Sequence, residues 1–209
     1  MMTNFNGFTT QDFDAFTVPG LEGRMGAIIA QVRPKLEELG QTLSTYLSAL
    51  CGEEMYPHVA KHARRKVNPP IDTWVALASA KRGYKALPHF EVGLFSTHLF
   101  IIFAVIYESP NKLIFADFLD KHAAKVKKMV PEHFFWSMDH FNPVGTPHAE
   151  VTPAELKKMA ERLKNVKKAE MMCGLRIERD DPILLDGEKL LAKIEETFAT
   201  LQPLYKASF

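Results

Sequence analysis

Cysteine is nearly missing from this 209-residue chain, with only Cys51 and Cys173, far apart and in no metal-like spacing. That excludes a disulfide framework, and two free, buried thiols in a reducing cytosol are expected. Long hydrophobic runs are missing as well. The most apolar segment, Leu94 to Tyr107, is too short to span a bilayer and is interrupted by Ser96, Thr97 and His98. The start, Met1 to Thr10, is polar and has neither the basic nor the apolar part of a secretory signal, so a cytoplasmic protein without a membrane partner is expected. No charge of one sign dominates. The formal net charge is +1, so any attraction to nucleic acid has to be local. Walker and dinucleotide glycine loops are absent, as are Gly-x-Ser-x-Gly, His-Glu-x-x-His and His-x-x-Glu-His. These absences set aside the standard nucleotide folds, the α/β-hydrolase elbow and two metalloprotease classes.

What is present is ordinary globular material. Apolar residues make up 46% and charged residues 24%, and the fifteen phenylalanines fall mostly in periodic segments, where a core uses them. The length suits one domain over residues 1–209. Thr9 and Asp12 suit the cap of a single helical turn. Residues 21–33 read as a helix with Met25, Ile28, Ile29 and Val32 on one face, and Pro34 opens a second carrying Leu36, Leu39, Leu43, Leu47 and Leu50.

Residues 55–60 and 73–79 then read as strands around a turn at Asn68-Pro69-Pro70. Phe90 to Phe95 and Leu99 to Tyr107 form the clearest strand pair, and the second run, apolar on both faces, is expected at the sheet centre. Ser109-Pro110 opens a helix near 110–129, residues 133–138 form a strand, and Asn142 to Glu150 is a Pro/Gly/His loop. Thr152-Pro-Ala-Glu155 is a capping box with proline at the first helical position, opening a helix to about Asn165. Lys168 to Glu178 is a strand, and Asp186 caps a last helix with Leu191, Ile194, Phe198 and Leu201 facing the core. Strands and helices come in runs, which predicts an α+β fold. It is expected to be a single compact domain with a mixed or largely antiparallel sheet and amphipathic helices packed mainly on one face.

Several stretches carry a family resemblance: Tyr56 to Arg65 (YPHVAKHARR), Val67 to Val75 (VNPPIDTWV), Lys81 to Lys85 (KRGYK) with Leu87 to Phe90 (LPHF), and Phe103 to Pro110 (FAVIYESP). Together with Val166 to Glu170 and the Leu-Tyr-Lys end, they resemble the YktB-like family of uncharacterised proteins from Bacillus-type Gram-positive bacteria. The resemblance implies an α+β domain of unknown function. It implies no activity and no catalytic residues.

Chemistry concentrates in two places. Lys61, Arg64, Arg65 and Lys66 precede the Asn68 turn, and Lys81, Arg82 and Lys85 surround Gly83-Tyr84, with only Asp72 against them. If the flanking strands pair, the two clusters would sit at neighbouring loop ends. Arginines there would grip a phosphate or carboxylate, Gly83 would let backbone amides approach it, and Tyr84 would stack on a base. The ligand-binding candidates are therefore His62, Arg64, Arg65, Lys81, Arg82, Tyr84 and Lys85, against the plain alternative of a solvated basic rim.

The histidines are the second place. His58 and His62 are four apart, but on a strand that is roughly 13 Å, too far to share an ion. His89 and Glu91 share one side of a strand, and Asp139-His140 adjoins a loop where sites gather, so His89, Glu91 and His140 are the catalytic candidates. No metal site is assigned, and no cofactor is named. Three readings stay open. They are a module binding a phosphorylated small molecule or nucleic acid, a hydrolase-type enzyme with a His/Glu acid–base or metal site, and a structural or partner-binding protein.

Overall fold

The most apolar segment of the chain organises the fold. In the computed structural model, which describes residues 5–142 and 144–209, seven strands form one sheet. They are β1 (Tyr56–Val59), β2 (Asp72–Ala78), β3 (His89–Phe95), β4 (His98–Val105), β5 (Phe135–Ser137), β6 (Thr146–Pro147) and β7 (Met171–Glu178). Their order is β1-β2-β3-β4-β7-β5-β6, and every ladder is antiparallel. Each residue of β4 is buried, and the strand stands in the middle, as a run apolar on both faces requires.

Six helices accompany the sheet among the described residues: α1 (Thr10–Asp14), α2 (Leu21–Ala27), α3 (Arg33–Cys51), α4 (Lys112–Met129), α5 (Pro153–Asn165) and α6 (Gly187–Lys206). The expected break at Pro34 is not there. The chain stays helical from Leu21 to Cys51 through a π turn at Ile28–Val32. Proline has no N–H to give, and its ring would strike the carbonyl four residues back, so a wider turn just before it absorbs the misfit. Thr152 and Asp186 cap α5 and α6 as expected. In α6, however, Leu190 is the buried residue and Leu191 only packs beside it, because the stripe through Ile194, Phe198 and Leu201 reaches back to 190. The loop expected at 142–150 contains β6 and a 3-10 turn at His148–Glu150. Pro143 of that loop and residues 1–4 of the polar start lie outside the described residues.

Alternation along each strand sends its two sets of side chains to different places. Val75, Leu77, Phe90, Val92, Ile101 and Phe103 join residues of α3, α4, α5 and α6 in one core cluster. The other set, Phe95, Phe100, Ile102, Ala104, Ile106 and Met172, forms a separate cluster with no helical member. The helices thus cover one face, and the other face is open. No helix among the described residues is long and apolar enough to cross a membrane.

Candidate functional site

The open face is the floor of a cleft. Ile102, Ala104 and Met172 lie at its centre, with Trp74, Phe95, Phe100 and Phe135 around them. Gly93 belongs to the same face between β2 and β4, and a Cβ there would run into Trp74 and the Phe100 ring. The two large rings can close over β3 only because that position has no side chain. The loop after β2 folds back along the sheet to form one wall. The Trp74 indole N–H donates to the Tyr84 hydroxyl at 3.0 Å, and the Tyr84 ring packs on His89 and His58 at 4.8 and 5.9 Å. The loop after β5 forms the opposite wall, with His140 and Phe141 in ring contact at 3.9 Å. The volume of the cleft is about 200 Å³, larger than the ~150 Å³ cavity that accepts benzene.

Ionisable groups punctuate this apolar surface. Asp72, at the start of β2, is 4% exposed and lines the cleft, yet no lysine, arginine or histidine forms an ion pair with it among the described residues. Burial, reinforced by the charge of Glu91, pushes its carboxyl up to about 6, against the opposing pull of Arg65 and His140. Glu91 Oε1 meets His89 Nε2 at 3.0 Å, and His89 Nδ1 faces the Leu87 carbonyl at 2.8 Å. Both nitrogens of the buried His89 therefore face oxygen acceptors. Burial, with Glu91 next, raises the Tyr84 hydroxyl above its ordinary value. Lys85 and Glu108 pair at the rim at 3.5 Å.

His140 is held by a partner that spacing does not suggest. Glu170, just ahead of β7, accepts both the His140 backbone N–H at 2.8 Å and, at Oε1, its Nδ1 at 2.6 Å. Burial works against a charge on His140, but the hydrogen bond and charge of Glu170, with Glu91 and Asp72 behind, hold it above the usual histidine range. With Nδ1 committed to Glu170, Nε2 is the nitrogen through which His140 would exchange a proton. Ser137 does not complete a nucleophilic triad, because its hydroxyl donates to the Asp139 carbonyl at 2.9 Å.

The cleft therefore unites Tyr84, Lys85, Glu91 and His140 from the sequence-based candidates, with His89 behind Glu91. The rest lie elsewhere. Since β1, β2 and β3 form an antiparallel meander, the loop with Arg64 and Arg65 enters β2 at one end and the loop with Lys81 and Arg82 leaves it at the other. The two basic clusters thus do not share a loop end. Arg64, Lys81 and Arg82 are exposed and Arg65 is half-buried. His62 turns the chain out of β1 with φ at 52°, bonds Thr73 Oγ1 at 3.1 Å and packs edge-on to Trp74. Sequence reasoning missed Asp72 and Glu170 as site residues. The one sequence signal for Asp72 is that it is an acid alone among seven cations.

The chain matches the family described as a domain of unknown function, DUF1054, over residues 8–205. It is 49% identical to a UPF0637 protein of Bacillus velezensis over 198 residues, which is 95% of this chain and 94% of that one. A UPF0637 protein of Bacillus licheniformis is 48% identical over 199 residues, with 95% and 94% covered. One from Bacillus cereus is 50% identical over 198 residues, with 95% of each chain covered.

Proposed function

The chain belongs to the DUF1054 family of UPF0637 proteins, and we propose that it binds a small organic cation with an apolar body, about one ring in size, on the open face of its sheet. The observation that carries this reading is Asp72: a carboxylate 4% exposed, lining the cleft, with no ion-pair partner among the described residues. A buried charge without a partner is costly, and such groups mark sites where a ligand supplies the missing charge. Around it stand Trp74, Phe95 and Phe100, whose ring faces attract a cation and exclude water. We place the protein in the cytosol, where buried free thiols such as Cys51 and Cys173 stay reduced.

Thermal stability against a panel of single-ring primary and quaternary amines tests it, each amine run beside its neutral isostere and its carboxylate counterpart. Amines are expected to raise the melting temperature, since a ligand at a hundred times its Kd stabilises by about 2.7 kcal/mol. Asp72→Asn is expected to remove that rise while the variant remains folded. Equal shifts from the neutral isosteres overturn the reading.

A second reading has one observation in its favour. Lys61, Arg64, Lys66, Lys81 and Arg82 are exposed and form no ion pair among the described residues. They offer an anionic phosphorylated ligand or a nucleic-acid strand two separate contacts along the β1–β2 edge. The same panel, extended with nucleotides and short RNA, separates the two. A shift lost on adding salt and in Arg64→Ala/Arg82→Ala selects the anion, and one lost in Asp72→Asn selects the cation.

A further inference from the structure

Glu170 is more deeply buried than its role as a hydrogen-bond acceptor requires. It is 4% exposed, and while Oε1 takes both bonds from His140, Oε2 is buried with no partner. A charged oxygen left so in the interior calls for an ion or a water. Donors of the right kind stand next to it. One ligand atom each from Asp139, His140 and Glu170 lie within 4.8 Å of one another. Ligand atoms ~2.1 Å from one tetrahedral ion stand ~3.4 Å apart, so the set closes by a swing of the exposed Asp139 side chain.

We propose that Asp139, His140 and Glu170 bind one first-row divalent transition ion, zinc or manganese, at the wall of the cleft. The ion is held by the Glu170 carboxylate, which gives the orphaned Oε2 its missing partner, and by one nitrogen of His140, and the proton that the imidazolium gives up passes to solvent. Two carboxylates and one imidazole make a mixed nitrogen–oxygen set, which suits these ions better than magnesium or calcium with their all-oxygen shells. Three protein ligands leave coordination positions open. Asp139 and His140 both line the cleft, so those positions face its interior. The site is independent of the ligand proposed at Asp72 and stands whether or not that cation binds.

The test is calorimetric titration of the full chain, stripped with chelator, with zinc, manganese, magnesium and calcium chlorides. Saturable one-to-one binding of zinc or manganese, and weaker binding of the other two, is the expected result. His140→Ala and Glu170→Gln should each weaken it at least tenfold. His133→Ala, an exposed histidine outside the cluster, should leave it unchanged. Circular dichroism checks the fold of each variant. If Glu170→Gln does not fold, His140→Ala decides alone, since that side chain is already 33% exposed. No saturable binding tighter than about 1 mM, or binding retained in His140→Ala, overturns the proposal.

Discussion

A histidine only 1% exposed has to be folded in its neutral form or beside a counter-charge, and His98 is of the first kind. Its Nδ1 meets Thr97 Oγ1 at 2.8 Å and its ring stacks on Phe95. Burial, with the charge of Arg176 next, holds it down at about 4, and His62 is held at about 4 by burial and then Arg65 and Arg33. Below pH 6.5 the unfolded chain gains protons that the folded chain refuses, so stability from these groups is complete above 6.5 and lost towards 4. Asp72 acts in the opposite sense. Its carboxyl lies near 6 when folded and 3.8 when not, so falling pH relieves the burial of its charge. Subtracting a His98→Gln variant from the native protein isolates the His98 part. Urea midpoints from pH 7 to 4 should fall less steeply in the variant, by up to about 3 kcal/mol at the acid end. Parallel curves would show that His98 is not the group responsible.

At the scale of the element, α5 is tied down by its first turn. Thr152 Oγ1 accepts the Glu155 N–H at 3.2 Å, and the Glu155 carboxylate accepts the Thr152 N–H at 2.6 Å. Thr152→Ala is expected to cost about 1 kcal/mol, read as a lower denaturant midpoint with an unchanged slope. This box was legible in the sequence because capping is a local matter of side chains three residues apart. An unbroken apolar run likewise marked β4, and an Asn-Pro-Pro turn marked the entry to β2. The π turn ahead of Pro34 was not legible, since a hydrophobic stripe of similar period runs through both kinds of helix. Nor was the separation of the two basic clusters. Nearness in sequence suggests a shared surface, and only strand direction shows that β2 holds them apart.

The whole molecule is a sheet with two unequal faces, and adjacent residues of one strand measure the difference. Ile101 is fully buried against the helices, whereas Ile102, 6% exposed, looks into the cleft. Ile101→Ala leaves a cavity with rigid walls and should cost about 4 kcal/mol. Ile102→Ala only enlarges a space already present and should cost about 2 kcal/mol. Equal losses in chemical denaturation would mean that the open face is packed as tightly as the core.

The same unevenness explains which site residues could be read in advance. His89 and Glu91 alternate on one strand, and their pairing follows from the period of two. Glu170 reaches His140 only because β7 lies beside β5 in the sheet while α5 separates them in the chain. No local pattern carries that.

The strand order also decides how the sheet ends. β1 and β6 are its edges, and each contains a proline, Pro57 in one and Pro147 in the other. A strand arriving from a neighbouring chain would find a gap in the row of N–H donors at either border. Both borders are therefore poor templates for growth of the sheet from copy to copy.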